Sequence, residues 1–194
     1  MKHPFNQQLL SYWTERRGAR DAPEHDDIDP GAIRRFLGDT FELAYEAETG
    51  CAFRVAGTRL CALFGRELQG QPFASVWDAE SAPEIRDLAA IVADEGIGVA
   101  AGVTAEADGN SLCNFELLLL PLAERGSTGT RMLGMLAPFR RPYWLGLRPA
   151  RLLHLGVLQF VGQPSVASVA TGITAASRDP RQRRGFKVID GGRT

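Results

Sequence analysis

The residues able to do chemistry are few and scattered. Histidine occurs at His3, His25 and His154, and cysteine at Cys51, Cys61 and Cys113. Neither set has metal-ligand spacing. An odd, sparse set of cysteines makes no disulfide framework and fits a reducing cytoplasm. The carboxylates Asp26, Asp27 and Asp29 stand almost in a row, an arrangement that could hold a metal or share a proton. Pro30 supports a plainer reading, because Asp29-Pro30 suits a helix N-cap followed by proline at the first helical position. A Gly-x-Ser-x-Gly elbow, a Gly-x-x-x-x-Gly-Lys-Ser/Thr loop and a Gly-x-Gly-x-x-Gly turn are all missing from the sequence. Gly96-Ile97-Gly98 reads as a helix stop and strand entry. No histidine falls in the predicted fold core, and the other carboxylates are too dispersed to pair. These residues predict no catalytic site and no metal site.

The elements around them read more clearly. Phe5, Leu9, Tyr12 and Trp13 recur at helical spacing over residues 5–17, with Arg16-Arg17 and Gly18 as a stop. This stripe either packs on its own domain or forms a dimer face. Ile33, Phe36 and Leu37 predict a short helix after Asp29-Pro30. From Thr40 the period changes to two: Phe41, Leu43 and Tyr45 alternate with polar or small residues, and Phe53 and Val55 flank Arg54 in a second strand. Thr58 is placed to cap a helix carrying Leu60, Leu63 and Phe64, which Gly65 ends. Ser81 and Glu84 fit a capping box before Ile85, Leu88, Ala89 and Val92. Residues 99–105 alternate, Asp108-Gly109 marks a hairpin, and residues 111–122 form a long return strand. Within it, Cys113, Phe115, Leu117 and Leu119 share one face, and the unbroken run 117–122 predicts cover on both faces at that end. Residues 126–129 turn the chain into a strand over 131–139. Residues 151–161 are apolar and lean to strand.

Length, charge and hydropathy set the frame. The 194 residues carry a net charge of −1 with 44% hydrophobic content, which suits one domain with extensions and supplies no electrostatic reason to seek nucleic acid or an anionic membrane. The longest apolar run contains Pro121 and falls far short of the roughly 20 residues that span a bilayer. The first residues lack a signal-peptide run. The expectation is a soluble cytoplasmic protein. The predicted organisation is a helical extension over 1–38, a domain over 39–145, an apolar extension over 146–162 and a flexible basic tail over 163–194. From Arg178 onward six basic residues face Asp179 and Asp190, a net of +4; weak contacts with acidic surfaces or nucleic acid are the most such a tail offers.

The order predicts an α+β domain: a five-stranded antiparallel sheet with helices on one face. Leu60, Phe64, Trp77, Leu88, Phe115 and Met135 are expected between helices and sheet, as filled core or as an apolar pocket.

This layout resembles the PAS domain. The resemblance rests on Phe53-Arg54-Val55-Ala56-Gly57-Thr58-Arg59-Leu60-Cys61-Ala62-Leu63-Phe64-Gly65-Arg66-Glu67-Leu68-Gln69-Gly70, which is similar to the PAS pattern of a strand, a short helix ending Phe-Gly and a Leu-x-Gly turn. Leu10-Ser11-Tyr12-Trp13, Arg17-Gly18-Ala19-Arg20 and Asp27-Ile28-Asp29-Pro30 resemble a bacterial family of small stand-alone PAS-like proteins. The match covers about residues 5–145. It implies a sensory or regulatory module acting through an unidentified signalling partner, through a small apolar ligand, or both. It also implies a homodimer through an N-terminal helix, with Phe5, Leu9, Tyr12 and Trp13 as the candidate face. Haem is disfavoured, since no histidine lies on the 81–95 helix. Flavin is disfavoured, since Cys61 lacks the neighbours of an adduct-forming cysteine. A cofactor is therefore left unassigned. The alternative is a small enzyme or carrier on a cone-shaped α+β fold with an apolar pocket.

Overall fold

The computed structural model describes residues 1–46, 49–107, 111–123, 130–141 and 147–162. The turns expected at Asp108-Gly109 and at 126–129, and the basic tail over 163–194, lie outside the described residues. Helix α1 spans Pro4–Arg17, with proline in its first turn and His3 Nδ1 accepting the Phe5 N–H at 3.2 Å. Strands β1 (Thr40–Glu46) and β2 (Gly50–Ala56) form the expected hairpin. Helices α2 (Thr58–Phe64) and α3 (Ser81–Glu95) follow, then β3 (Gly98–Ala107), β4 (Ser111–Leu122), β5 (Thr130–Pro138) and β6 (Ala150–Val161).

The strands make one antiparallel sheet in the order β2-β1-β5-β4-β3-β6. It has six strands where five were expected. The sixth is the apolar segment 151–161, which pairs with β3 along most of its length.

The second correction concerns layers. Helices cover both faces. On the inner face α2 and α3 bury Phe41, Phe53, Leu63, Leu88, Phe115, Leu117 and Leu119. On the outer face α1 crosses β4 and β5, and Leu9 and Trp13 pack on Leu118, Leu120, Leu122, Leu133 and Met135. Alternation along β4 sends its leucines to the two faces in turn, so a single inner layer would leave half of them in water.

Three local predictions also change. Residues 30–36 form turns rather than a helix, and the Asp29 carboxylate accepts the Gly31 N–H at 2.8 Å. The N-cap of α2 is Gly57, not Thr58. A side chain at Gly57 would place its Cβ 2.3 Å from the Gly38 carbonyl, so the chain can pass there only as glycine. Gly65 ends α2 as expected, at φ 63° in the left-handed region. At α3 the N-cap is Glu80 rather than Ser81, and the first helical N–H, that of Ser81, is accepted by Asp78 Oδ1 at 2.7 Å. Ser81 itself turns its hydroxyl to the Leu155 N–H of β6, at 2.9 Å.

Candidate functional site

Leu60, Phe64, Trp77, Leu88 and Phe115 do meet between helices and sheet. Met135 does not: it pairs opposite Leu118 and faces α1. The inner space is closed by rings. Phe41, Phe53 and Phe73 lie with centroids 5.5–5.6 Å apart, and Trp77 stands edge-on to Phe73 at 5.8 Å. The void left among these rings, Leu60, Phe64 and Leu153 is about 10 Å³, the scale of one water molecule. Trp77 lines it, and its indole N–H has no acceptor among the described residues. Around these rings the interior is filled.

Burial also silences the thiols. It pushes the Cys51 thiol up to about 12 and the Cys113 thiol up to about 11, and raises Cys61 as well. All three are free and protonated at neutral pH. Among the described residues no three His, Cys, Asp or Glu side chains gather as a metal site would need.

The sequence reading missed one polar cluster. His154 on β6 meets Asp78 at 2.7 Å from Nδ1 to Oδ2. The spacing of Asp78 three residues before Ser81 was its only local signal. Burial opposes the charged carboxylate, but hydrogen bonds from the Ser81 hydroxyl, the Ser81 N–H and His154 outweigh it, and Asp78 sits below the usual carboxylate range. Ser, Asp and His here do not form a nucleophilic triad. The carboxylate lies between hydroxyl and imidazole, so the imidazole that takes the nucleophile's proton in such a triad does not face Ser81. The cluster fastens the start of α3 to β6.

The candidate dimer face is largely consumed within the chain. Leu9 and Trp13 are fully buried, and the Trp13 indole donates to the Pro121 carbonyl at 2.8 Å. Phe5 and Tyr12 are half-buried, against Phe36 and the Asp29 N–H respectively. The helix is pinned by Glu116, a buried carboxylate on β4 that accepts the Lys2 N–H at 2.6 Å, the His3 N–H at 2.9 Å and the Asn6 amide at 3.1 Å. A homodimer through this stripe would have to undo that core.

One opening lies on the outer face beside α1. Segment 25–38 runs past the β1–β2 hairpin and leaves a groove of about 680 Å³. Ile28, Pro30, Ile33, Leu37, Val55 and Leu133 form its apolar lining, with His25, Asp26, Thr40, Glu42 and Thr58 as polar members. Val55 is there because of a bulge. Leu43 pairs with Phe53 but Glu42 pairs with Val55, so Arg54 is the extra residue and Val55 turns to the outer face. It is 56% exposed, and Leu37 40%. Glu42 sits between His25 Nε2 at 3.2 Å and Arg131 at 3.9 Å. Arg59 closes the nearby chain crossing through two bonds to the buried Asp39, at 2.7 and 2.6 Å.

No helix among the described residues is long and apolar enough to cross a membrane. A family model described as PAS domain matches residues 1–137, which takes in α1, the groove segment and the sheet as far as β5. No curated protein matches the chain.

Proposed function

The chain belongs to the PAS-domain family, and from that premise we propose a non-enzymatic regulatory module that works through protein contacts on its surface. One observation carries this reading: the helix–sheet interior retains a void of only about 10 Å³. A ligand seated there would have to displace Phe73 or Trp77, both buried in the core. The outer groove instead has the size of a binding cleft, an apolar lining and a few convergent polar groups. Its exposed Val55 and Leu37 are the kind of side chains that a partner covers. Against an enzyme reading stand the protonated thiols and the Ser81–Asp78–His154 order, which leaves no activated nucleophile.

Native mass spectrometry of the chain purified under mild conditions tests the proposal. The expected spectrum holds the bare chain. A stoichiometric small-molecule adduct that survives Val55→Arg, and so sits outside the groove, overturns it.

A further inference from the structure

The same sequence holds a segment whose chemistry matches the groove. We propose that residues 183–189, Arg183-Arg184-Gly185-Phe186-Lys187-Val188-Ile189, dock into it in cis. This rests on the reading of the groove as a contact surface.

Three observations meet here. The first is the apolar demand: Val55, turned outward by the bulge, and Leu37 are exposed, beside Ile28 and Ile33. Phe186, Val188 and Ile189 are apolar side chains of the size that would cover them. The second is charge. Residues 20–42, which supply the groove's helical-turn wall and its first strand, hold seven acids against Arg20, Arg34 and Arg35, and Arg59 and Arg131 pair Asp39 and Glu42, which leaves a net of −2. Residues 178–194 carry +4. Asp26 stands at the groove with its carboxylate almost wholly in solvent and, among the described residues, bonds only His25, at 3.1 Å, in reach of a cation arriving from outside.

The third is reach. The described chain ends at Gly162, whose carbonyl accepts a 2.6 Å bond from Arg17 of α1. The chain therefore leaves the sheet on the outer face, the groove's own face. Four strand spacings separate β6 from β1 in the sheet order, a distance of about 19 Å. The residues between Gly162 and Arg183 can extend to roughly 70 Å, so the connection is ample. Tethering at such a length gives a high effective concentration, and modest contacts then suffice to hold the segment.

Lysine usage makes the test specific, because the only lysines are Lys2 and Lys187. The full chain, at low micromolar concentration, is treated with a zero-length carbodiimide and the linked peptides are mapped. The expected product is an amide between Lys187 and Asp26 or Glu42 in the monomer band. Val55→Arg, at an exposed position, and the double variant Phe186→Ser/Val188→Ser are each expected to abolish it. A Lys187 link scattered to carboxylates such as Glu84 and Glu95, or no link at all, overturns the proposal. So does a link that appears only in a covalent dimer, which would make a second copy the occupant, or one that persists in the double variant. An interior ligand found by native mass spectrometry would sink the functional reading and leave the Lys187 result untouched.

Discussion

The two faces of the sheet differ in what covers them. On the inner face α2, α3 and the turn Phe73–Val76 bring four aromatic rings together and leave space for about one water. On the outer face α1 covers the β4–β5 centre, and the hairpin β1–β2 is left beside a groove of about 680 Å³. Strand alternation supplies apolar side chains to both faces, so composition does not make this difference. It comes from two local devices: the Glu116 anchor that sets where α1 lies, and the Arg54 bulge that moves Val55 outward. The filled interior holds the fold, and among the described residues the flank beside the hairpin offers the groove for contacts.

Substitutions can break this contrast in order of size. Trp77→Ala or Leu88→Ala on the inner face should cost about 3–5 and 2–5 kcal/mol respectively, read as a shift of the urea midpoint. Next comes the anchor. Glu116→Ala leaves the buried Asn6 amide without its carboxylate, a loss of about 1–3 kcal/mol, and hydrogen exchange should quicken along α1 before it does in α3. Asp78→Ala removes the acceptor of the Ser81 N–H at the start of α3, a cost of about 1 kcal/mol. Val55→Ser in the groove should stay within about 0.5 kcal/mol. A Val55→Ser cost as large as that of Leu88→Ala would erase the distinction between the faces.

Asp78 sharpens the comparison through pH. Its folded value lies below that of an ordinary aspartate, so the folded state holds the charge where the unfolded chain would already bind a proton. The stabilisation is therefore full above the ordinary carboxylate range and is lost as pH falls through the lowered folded value. Thermal unfolding from about pH 5 down to pH 2 should show a steeper loss in wild type than in Asp78→Asn. Identical acid limbs would remove the Asp78–Ser81–His154 fastening from the account. The thiols give a gentler check: a disulfide reagent at neutral pH should label Cys51 and Cys113 only upon unfolding, given their values of about 12 and 11.

Much of the fold was legible because it rests on short-range pattern. The stripe at Leu9 and Trp13, the run Ile85 to Val92 and the alternation in β1 and β4 announce their elements directly. The face each element meets is a longer-range matter. Met135 alternates correctly within β5, but only its pairing with Leu118 and Thr40 decides that it faces α1. The leucines of 117–122 already asked for cover on both faces, and the stripe of α1 was the cover. The groove was not legible at all. Period two places Val55 with Phe53, and the bulge that separates them is a feature of register, which a single strand does not reveal. The Ser81 cap failed for a similar reason: a hydroxyl suited to its own helix was drawn to the Leu155 N–H, a partner 74 positions away.

Xenon is the most direct probe of the central claim, because it enters dry apolar cavities and ignores filled ones. In methyl NMR under xenon pressure, Leu60, Leu63 and Leu88 of the wild type should show no saturable shift, while Phe73→Ala should open a site and shift them. Saturable shifts at these methyls in the wild type would mean an interior able to take a ligand, and would contradict the account.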